Sequence, residues 1–183
     1  MDKFFLEKDE VVLAIVDIQE RLAAVMSERQ RVVDNCLHLI EAAKLLDVPV
    51  LVSEQYSKGL GPTVKEIREA LQTYEPIEKI AFSCCGEPNF LKSLSATGKK
   101  KVILAGMETH VCVLQTCLGL LRDGYAVHVV GDAICSRSKG NFKTGIHFMR
   151  DAGAVVTGTE TVLFQLLGRA GTDEFKAISK RIK

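Results

Sequence analysis

Neither sign of charge dominates this chain: 24 Lys and Arg stand against 23 Asp and Glu in 183 residues, a formal net charge of +1. A balance this close supplies no field of one sign to hold nucleic acid or an anionic membrane surface. Long apolar runs are also lacking. The longest aliphatic stretches, such as VVLAIV over 11–16, are strand length, against about 20 residues for a membrane helix. The first ten residues are acidic and polar, without the basic start and apolar run of a secretory signal. A cytoplasmic protein with reduced thiols is therefore expected. Cys36, Cys84, Cys85, Cys112, Cys117 and Cys135 include no CxxC spacing, which removes the usual zinc and thioredoxin-like patterns. There is no GxxxxGK[ST] loop, no complete GxGxxG and no GxSxG elbow; Gly59-Leu-Gly61 lacks the third glycine. Repeats, low-complexity tracts and interdomain linkers are missing as well.

What is present is the composition of a globular domain, 47% hydrophobic and 26% charged. A chain of this length fills one layered fold, so one domain over 1–183 is expected. Short β-branched runs alternate with amphipathic stretches. Strands are read at Val11–Asp17, Val48–Ser53, Ile77–Phe82, Lys101–Ala105, Ala126–Val130 and Ala154–Thr157. Helices are read at Ser27–Leu46, from a Thr63/Glu66 capping box to about Gln72, at Pro88–Thr97, Thr109–Gly124 and Phe142–Asp151, and from Glu160 onward with a break at Gly168–Gly171. Such alternation, with near-continuous apolar strands, predicts a parallel sheet covered by helices on both faces, a three-layer α/β/α sandwich.

Ligands of these sheets bind beyond the C-terminal strand ends, where strand order reverses. Three residue types there carry chemistry. Cys112 stands in the first turn of the helix after the fourth strand, where free backbone N–H groups and the helix dipole favour a thiolate and lower a thiol's pKa. A small core hydrophobe is the competing account of it. Asp17 ends an apolar strand and can serve as a general base, or merely cap a loop. Lys79 interrupts an apolar strand pattern and needs either a partner or solvent. Cys36, Cys117 and Cys135 have no charged setting and are read as structural, whereas the vicinal pair Cys84-Cys85 is given no role.

These residues fall in three segments: Asp17-Ile-Gln-Glu, Lys79-Ile-Ala-Phe-Ser, and Ala105-Gly-Met-Glu-Thr-His-Val-Cys-Val-Leu-Gln115. In that order they resemble the motifs of the isochorismatase-like cysteine hydrolases, and Gly131-Asp-Ala, Asn141 and Thr159-Glu-Thr-Val-Leu-Phe extend the likeness over essentially the whole chain. The resemblance implies six parallel strands in the order 3-2-1-4-5-6. It implies a triad of Asp17 as base, Lys79 as its cationic partner and Cys112 as nucleophile. It further implies a cis Met107-Glu108 peptide, with the N–H groups of Glu108 and Cys112 as oxyanion donors.

Gln19, Gln55, Tyr56, Phe82 and His110 are the candidate pocket-lining residues, and His110 competes with Asp17 as a base for the thiol. The stretch Val52–Lys58 contains no His, unlike the metal-binding nicotinamidases of the family, so neither metal nor cofactor is expected. The isochorismatases proper lack the nucleophilic cysteine that is present here. The expected activity is therefore that of the metal-free cysteine branch: hydrolysis of a small amide or related C–N compound through a thioester. The alternative is a regulatory or protein-interaction module that keeps the fold with little hydrolysis. The expected partner is a small-molecule substrate, with no nucleic acid and no membrane. A homo-oligomer is also expected, and its candidate contact is the C-terminal helix with Phe175 and Ile178, which can equally pack on its own chain.

Overall fold

The computed structural model describes residues 1–182. Its centre is a sheet of β1 (Val11–Val16), β2 (Val50–Gln55), β3 (Ile77–Lys79), β4 (Lys101–Met107), β5 (Ala126–Cys135) and β6 (Val155–Thr157), all pairs parallel, in the order β3-β2-β1-β4-β5-β6. The order reverses between β1 and β4. Side chains alternate across a strand, so β1 sends Val11, Leu13 and Ile15 to one face and Val12, Ala14 and Val16 to the other. Both faces are covered, which is why the run is apolar throughout.

The helices are α1 (Glu20–Ala23), α2 (Arg29–Leu45), α3 (Ser57–Leu60), α4 (Lys65–Ala70), α5 (Pro88–Ala96), α6 (Leu114–Arg122), α7 (Lys139–Asp151), α8 (Thr159–Leu167) and α9 (Asp173–Arg181). On the first face α2, α4, α8 and α9 contribute Val32, Ile40, Ile67, Val162, Leu166 and Ile178. The second face is closed by Phe90 and Leu94 of α5, Cys117 and Leu120 of α6, and Ile146 and Met149 of α7. Ile178 is buried in the first cluster and the ring of Phe175 lies 6.3 Å from that of Phe164. The C-terminal helix thus packs on its own chain through Ile178 and Phe175.

Three local readings change. β3 stops at Lys79 rather than Phe82, and Ile80 and Phe82 point outward. The capping box does not form: Thr63 N and Oγ1 both donate to Glu54 Oε1, at 2.6 and 2.8 Å, while Glu66 pairs with Arg29 at 2.7 Å. A buried carboxylate from β2 takes the threonine that would have capped α4, and the hydroxyl of Tyr74 joins it. Finally, β5 runs on to Cys135, because its register with β4 jumps from Leu104–Val129 to Gly106–Ile134. Asp132 lies in that irregular stretch, and its Oδ1 accepts from Thr159 N and Oγ1 at 2.9 and 2.8 Å, anchoring the start of α8.

Candidate active site

The C-terminal ends of β1, β2, β3 and β4 bring distant residues to one spot. Asp17 directly follows β1 with φ 53°, a left-handed conformation that Asp tolerates better than most residues, and it is fully buried. Lys79, the last residue of β3, is buried as completely, and its Nζ lies 2.7 Å from Asp17 Oδ2. The ammonium also donates to Gln55 Oε1 at 2.6 Å and to the carbonyls of Ala81 and Phe82 at 3.2 and 3.0 Å. A buried charge held by this many acceptors is a placed one rather than a solvated edge lysine. Cys112 sits in a π-helical turn, Thr109–Val113, that leads into α6, and its thiol lies within reach of the charges of Asp17 and Lys79. Sequence positions 17, 79 and 112 therefore share one site.

The ionisation states follow from burial and from these neighbours. Burial pushes the Asp17 carboxyl above its usual 3.8, and Lys79, Ser53 and Cys112 pull it back only partly. Burial would lower the Lys79 ammonium, but the charges of Asp17 and Cys112 outweigh it and the net direction is upward. The Cys112 thiol is pushed from 9.0 up to about 12, first by burial and then by the Asp17 charge, against an opposing pull from Lys79. This direction is opposite to the lowering expected of a helix start. Burial and the Asp17 charge both favour the protonated form of the Cys112 thiol.

The Met107-Glu108 peptide is cis. Glu108 is held from behind, its carboxylate accepting from Arg137 N at 3.0 Å and from Arg137 Nε at 3.1 Å. His110 Nδ1 lies 2.9 Å from Ser136 Oγ. That nitrogen is directed at a serine after β5.

Of the residues expected to line a pocket, Gln19 has a different place. It is buried, its Nε2 donates to the carbonyls of Gln55 and Gly61 at 3.0 and 2.7 Å, and its Oε1 accepts from Gln55 N at 2.8 Å. Both amide hydrogens are spent on backbone, so Gln19 is a clamp on the 55–61 loop rather than a lining group. Gln55 holds Lys79 and donates to the Ile80 carbonyl at 2.8 Å. Tyr56, Ile80 and Phe82 are 54%, 67% and 54% exposed and lie outside the buried charges.

Two contributors carry no signal of a role in the sequence. Ser53 of β2 donates from Oγ to Asp17 Oδ1 at 2.7 Å, and Cys84 Sγ lies 3.4 Å from that same Oγ. The vicinal cysteines diverge, Cys84 toward Asp17 and Cys85 toward the Thr116 carbonyl, 3.8 Å away. A serine among the apolar residues of a buried strand is the faint trace that could have pointed here, and its partner lies 36 residues away in the chain.

Residues 11–161 match the family model described as the Isochorismatase domain. The chain belongs to the isochorismatase family. It is 42% identical over 177 residues to the secreted isochorismatase effector Isc1 of Phytophthora sojae, covering 94% of this chain and 84% of that one. Among solved structures, one described as the MAR1 ribonuclease of Caenorhabditis elegans superposes with a TM-score of 0.91 at 37% identity, covering 97% of this chain and 92% of the other. YcaC of Pseudomonas aeruginosa, determined with hexane-2,5-diol and covalent acrylamide, gives 0.90 at 27% identity, covering 97% and 91%. YcaC of Escherichia coli, described as an octameric hydrolase of unknown specificity, gives 0.90 at 25%, covering 97% and 90%. A hydrolase of the isochorismatase type is the activity class these likenesses support.

Proposed function

We propose that this isochorismatase-family protein is a cysteine hydrolase that cleaves a small amide or related C–N compound through a thioester on Cys112. The observation that carries this reading is the buried Asp17 carboxylate, with the Lys79 ammonium 2.7 Å from it and the Cys112 thiol close enough to feel both charges. Lys79 keeps Asp17 ionised in a site where burial alone would protonate it. As Sγ attacks the substrate carbonyl, the thiol proton passes to Asp17, and no standing thiolate is required. The oxyanion so formed accepts from the backbone N–H groups of Glu108 and Cys112. Collapse breaks the C–N bond, and Asp17 returns the proton to the leaving nitrogen. Water then attacks the thioester, gives its proton to Asp17 and releases the acid, and the proton goes back to sulfur. The covalent acrylamide of the P. aeruginosa relative supports a reactive nucleophile in that protein, since acrylamide takes up a nucleophile at its alkene carbon with the amide left intact.

No metal or cofactor enters this scheme, and Gln55, in the stretch that carries ligands in nicotinamidases, is spent on Lys79. Self-association, a cytoplasmic setting, one domain over 1–183 and the absence of a nucleic-acid partner belong to the same proposal. The near-zero net charge supports the last, and the octameric relative supports the first.

The test is a screen of small amides followed by substitution. Cys112→Ala is expected to lower turnover by at least about a thousandfold. Undiminished turnover would sink the mechanism. No turnover across the screen, together with a Cys112 whose alkylation does not depend on Asp17, would favour a regulatory module instead.

A further inference from the structure

Asp17 is held by more than Lys79. Ser53 lies in β2 opposite Val16 in the β1–β2 register, and its carbonyl accepts from Asp17 N at 3.2 Å. The register therefore fixes Ser53 beside Asp17 before any side chain is considered. Alternation along β2 sends Val52 to the α2 face and leaves Ser53 on the same side as Leu51, the face on which Cys84 and Cys112 pack. A hydroxyl buried there must have partners. It has two: Oγ donates to Asp17 Oδ1 at 2.7 Å and accepts from the Cys84 thiol at 3.4 Å. Serine carries a single hydroxyl hydrogen. With the thiol supplying the accepted bond, that hydrogen goes to Asp17.

We propose that Ser53 is the positioning residue of Asp17, occupying Oδ1 so that Oδ2 is left to Lys79, and that Cys84 fixes the direction in which Ser53 donates. This rests on the base role proposed for Asp17. Ser53 is fully buried and reaches no substrate, so it acts only through the carboxylate. A donor on Oδ1 stabilises the charged form and stops rotation of the carboxylate. Without it Asp17 takes up a proton more readily and loses its fixed orientation toward the thiol. The arrangement also gives Cys84, which has no catalytic geometry of its own, a defined place as a weak donor behind the serine.

The experiment is the pH profile of Cys112 alkylation by iodoacetamide, followed site by site by peptide mass spectrometry in the intact protein. The acid limb reports ionisation of Asp17. Ser53→Ala is expected to move that limb upward by about one pH unit, a tenfold lower rate on the acid side. Ser53→Thr, which keeps the hydroxyl, is expected to bring it back. Cys84→Ala should give a smaller displacement in the same direction, and it decides the matter if Ser53→Ala does not fold. A Ser53→Ala profile that superposes on wild type overturns the inference, as does a Ser53→Thr profile displaced as far as that of Ser53→Ala. With Ser53→Ala unfolded, a Cys84→Ala profile identical to wild type overturns it too. Asp17→Asn separates the two levels. If it leaves Cys112 alkylation unchanged, the base role falls and this inference with it. If alkylation depends on Asp17 while Ser53→Ala is silent, only the positioning role falls.

Discussion

At Cys112 two environments oppose each other, and their sizes decide the outcome. A helix start stabilises an anion by about 0.3–1 kcal/mol, which lowers a pKa by less than about one. Burial beside a carboxylate pushes the thiol from 9.0 up to about 12, so burial outweighs the helix start, and the mechanism proposed above has Asp17 take the proton only as sulfur attacks. Lys79 is the counterweight to Asp17. Lys79→Met is expected to leave a buried carboxylate unpaired and to cost about 3–5 kcal/mol of stability at neutral pH, measured by urea unfolding. The sign of its pH dependence follows from linkage. Asp17 has a folded pKa above its usual 3.8, so its ionised form destabilises the fold increasingly as pH rises from that value. Removing the cation enlarges this destabilisation. The deficit of Lys79→Met relative to wild type should therefore shrink as the pH falls toward 4, and a deficit independent of pH would exclude Asp17 as its cause.

At the level of elements, the site depends on how closely β1 and β4 approach at their C-terminal ends. Gly106 sits there at φ 138°, and a Cβ on it would fall well inside contact distance of the Val16 carbonyl oxygen. Backbone cannot swing aside as a side chain can. Gly106→Ala is therefore expected to cost about 3 kcal/mol or more, strain and overlap together. Gly124→Ala is the control. Gly124 has φ 86°, but a Cβ added there would meet nothing within 4 Å, so only left-handed strain of about 1–2 kcal/mol is expected. Denaturant midpoints of the two variants compare them directly, and equal midpoints would refute the close-approach argument. Gly145 plays a related part nearer the nucleophile, since a Cβ there would stand 3.0 Å from the carbonyl oxygen of Thr109. The smallness of that residue lets α7 pack directly on the turn that carries Cys112.

For the whole molecule, near-zero net charge contributes little over long range, and the most deeply buried ion pair among the described residues is Asp17–Lys79. No helix among the described residues is long and apolar enough to cross a membrane. Tyr56, Ile80 and Phe82, near Lys79 in the chain or bonded to it through backbone, are among the exposed large apolar residues, the kind that copies of a chain bury against one another. Light scattering after size exclusion is expected to find a self-associated protein, and the double variant Ile80→Glu/Phe82→Glu is expected to shift it toward monomer. A monomeric wild-type protein would overturn the expectation of an oligomer.

The amino-acid sequence by itself determined the order of strands and helices, because apolar periodicity is local and a sheet covered on both faces demands unbroken apolar strands. It also determined which aspartate, lysine and cysteine to place together, because the three motifs surround Asp17, Lys79 and Cys112 in family order. Tertiary structure decided the rest. The Ser53–Asp17 and Cys84–Ser53 bonds span 36 and 31 residues and leave no mark on local pattern. Gln19 became a loop clamp and Thr63 a partner of Glu54 through contacts with other segments. The direction of the Cys112 thiol's shift was set in the same way. Spacing pointed to a helix start and an easy thiolate, but a pKa depends on solvent exclusion and neighbouring charge, and those exist only once β1, β3 and the turn after β4 have closed around the sulfur.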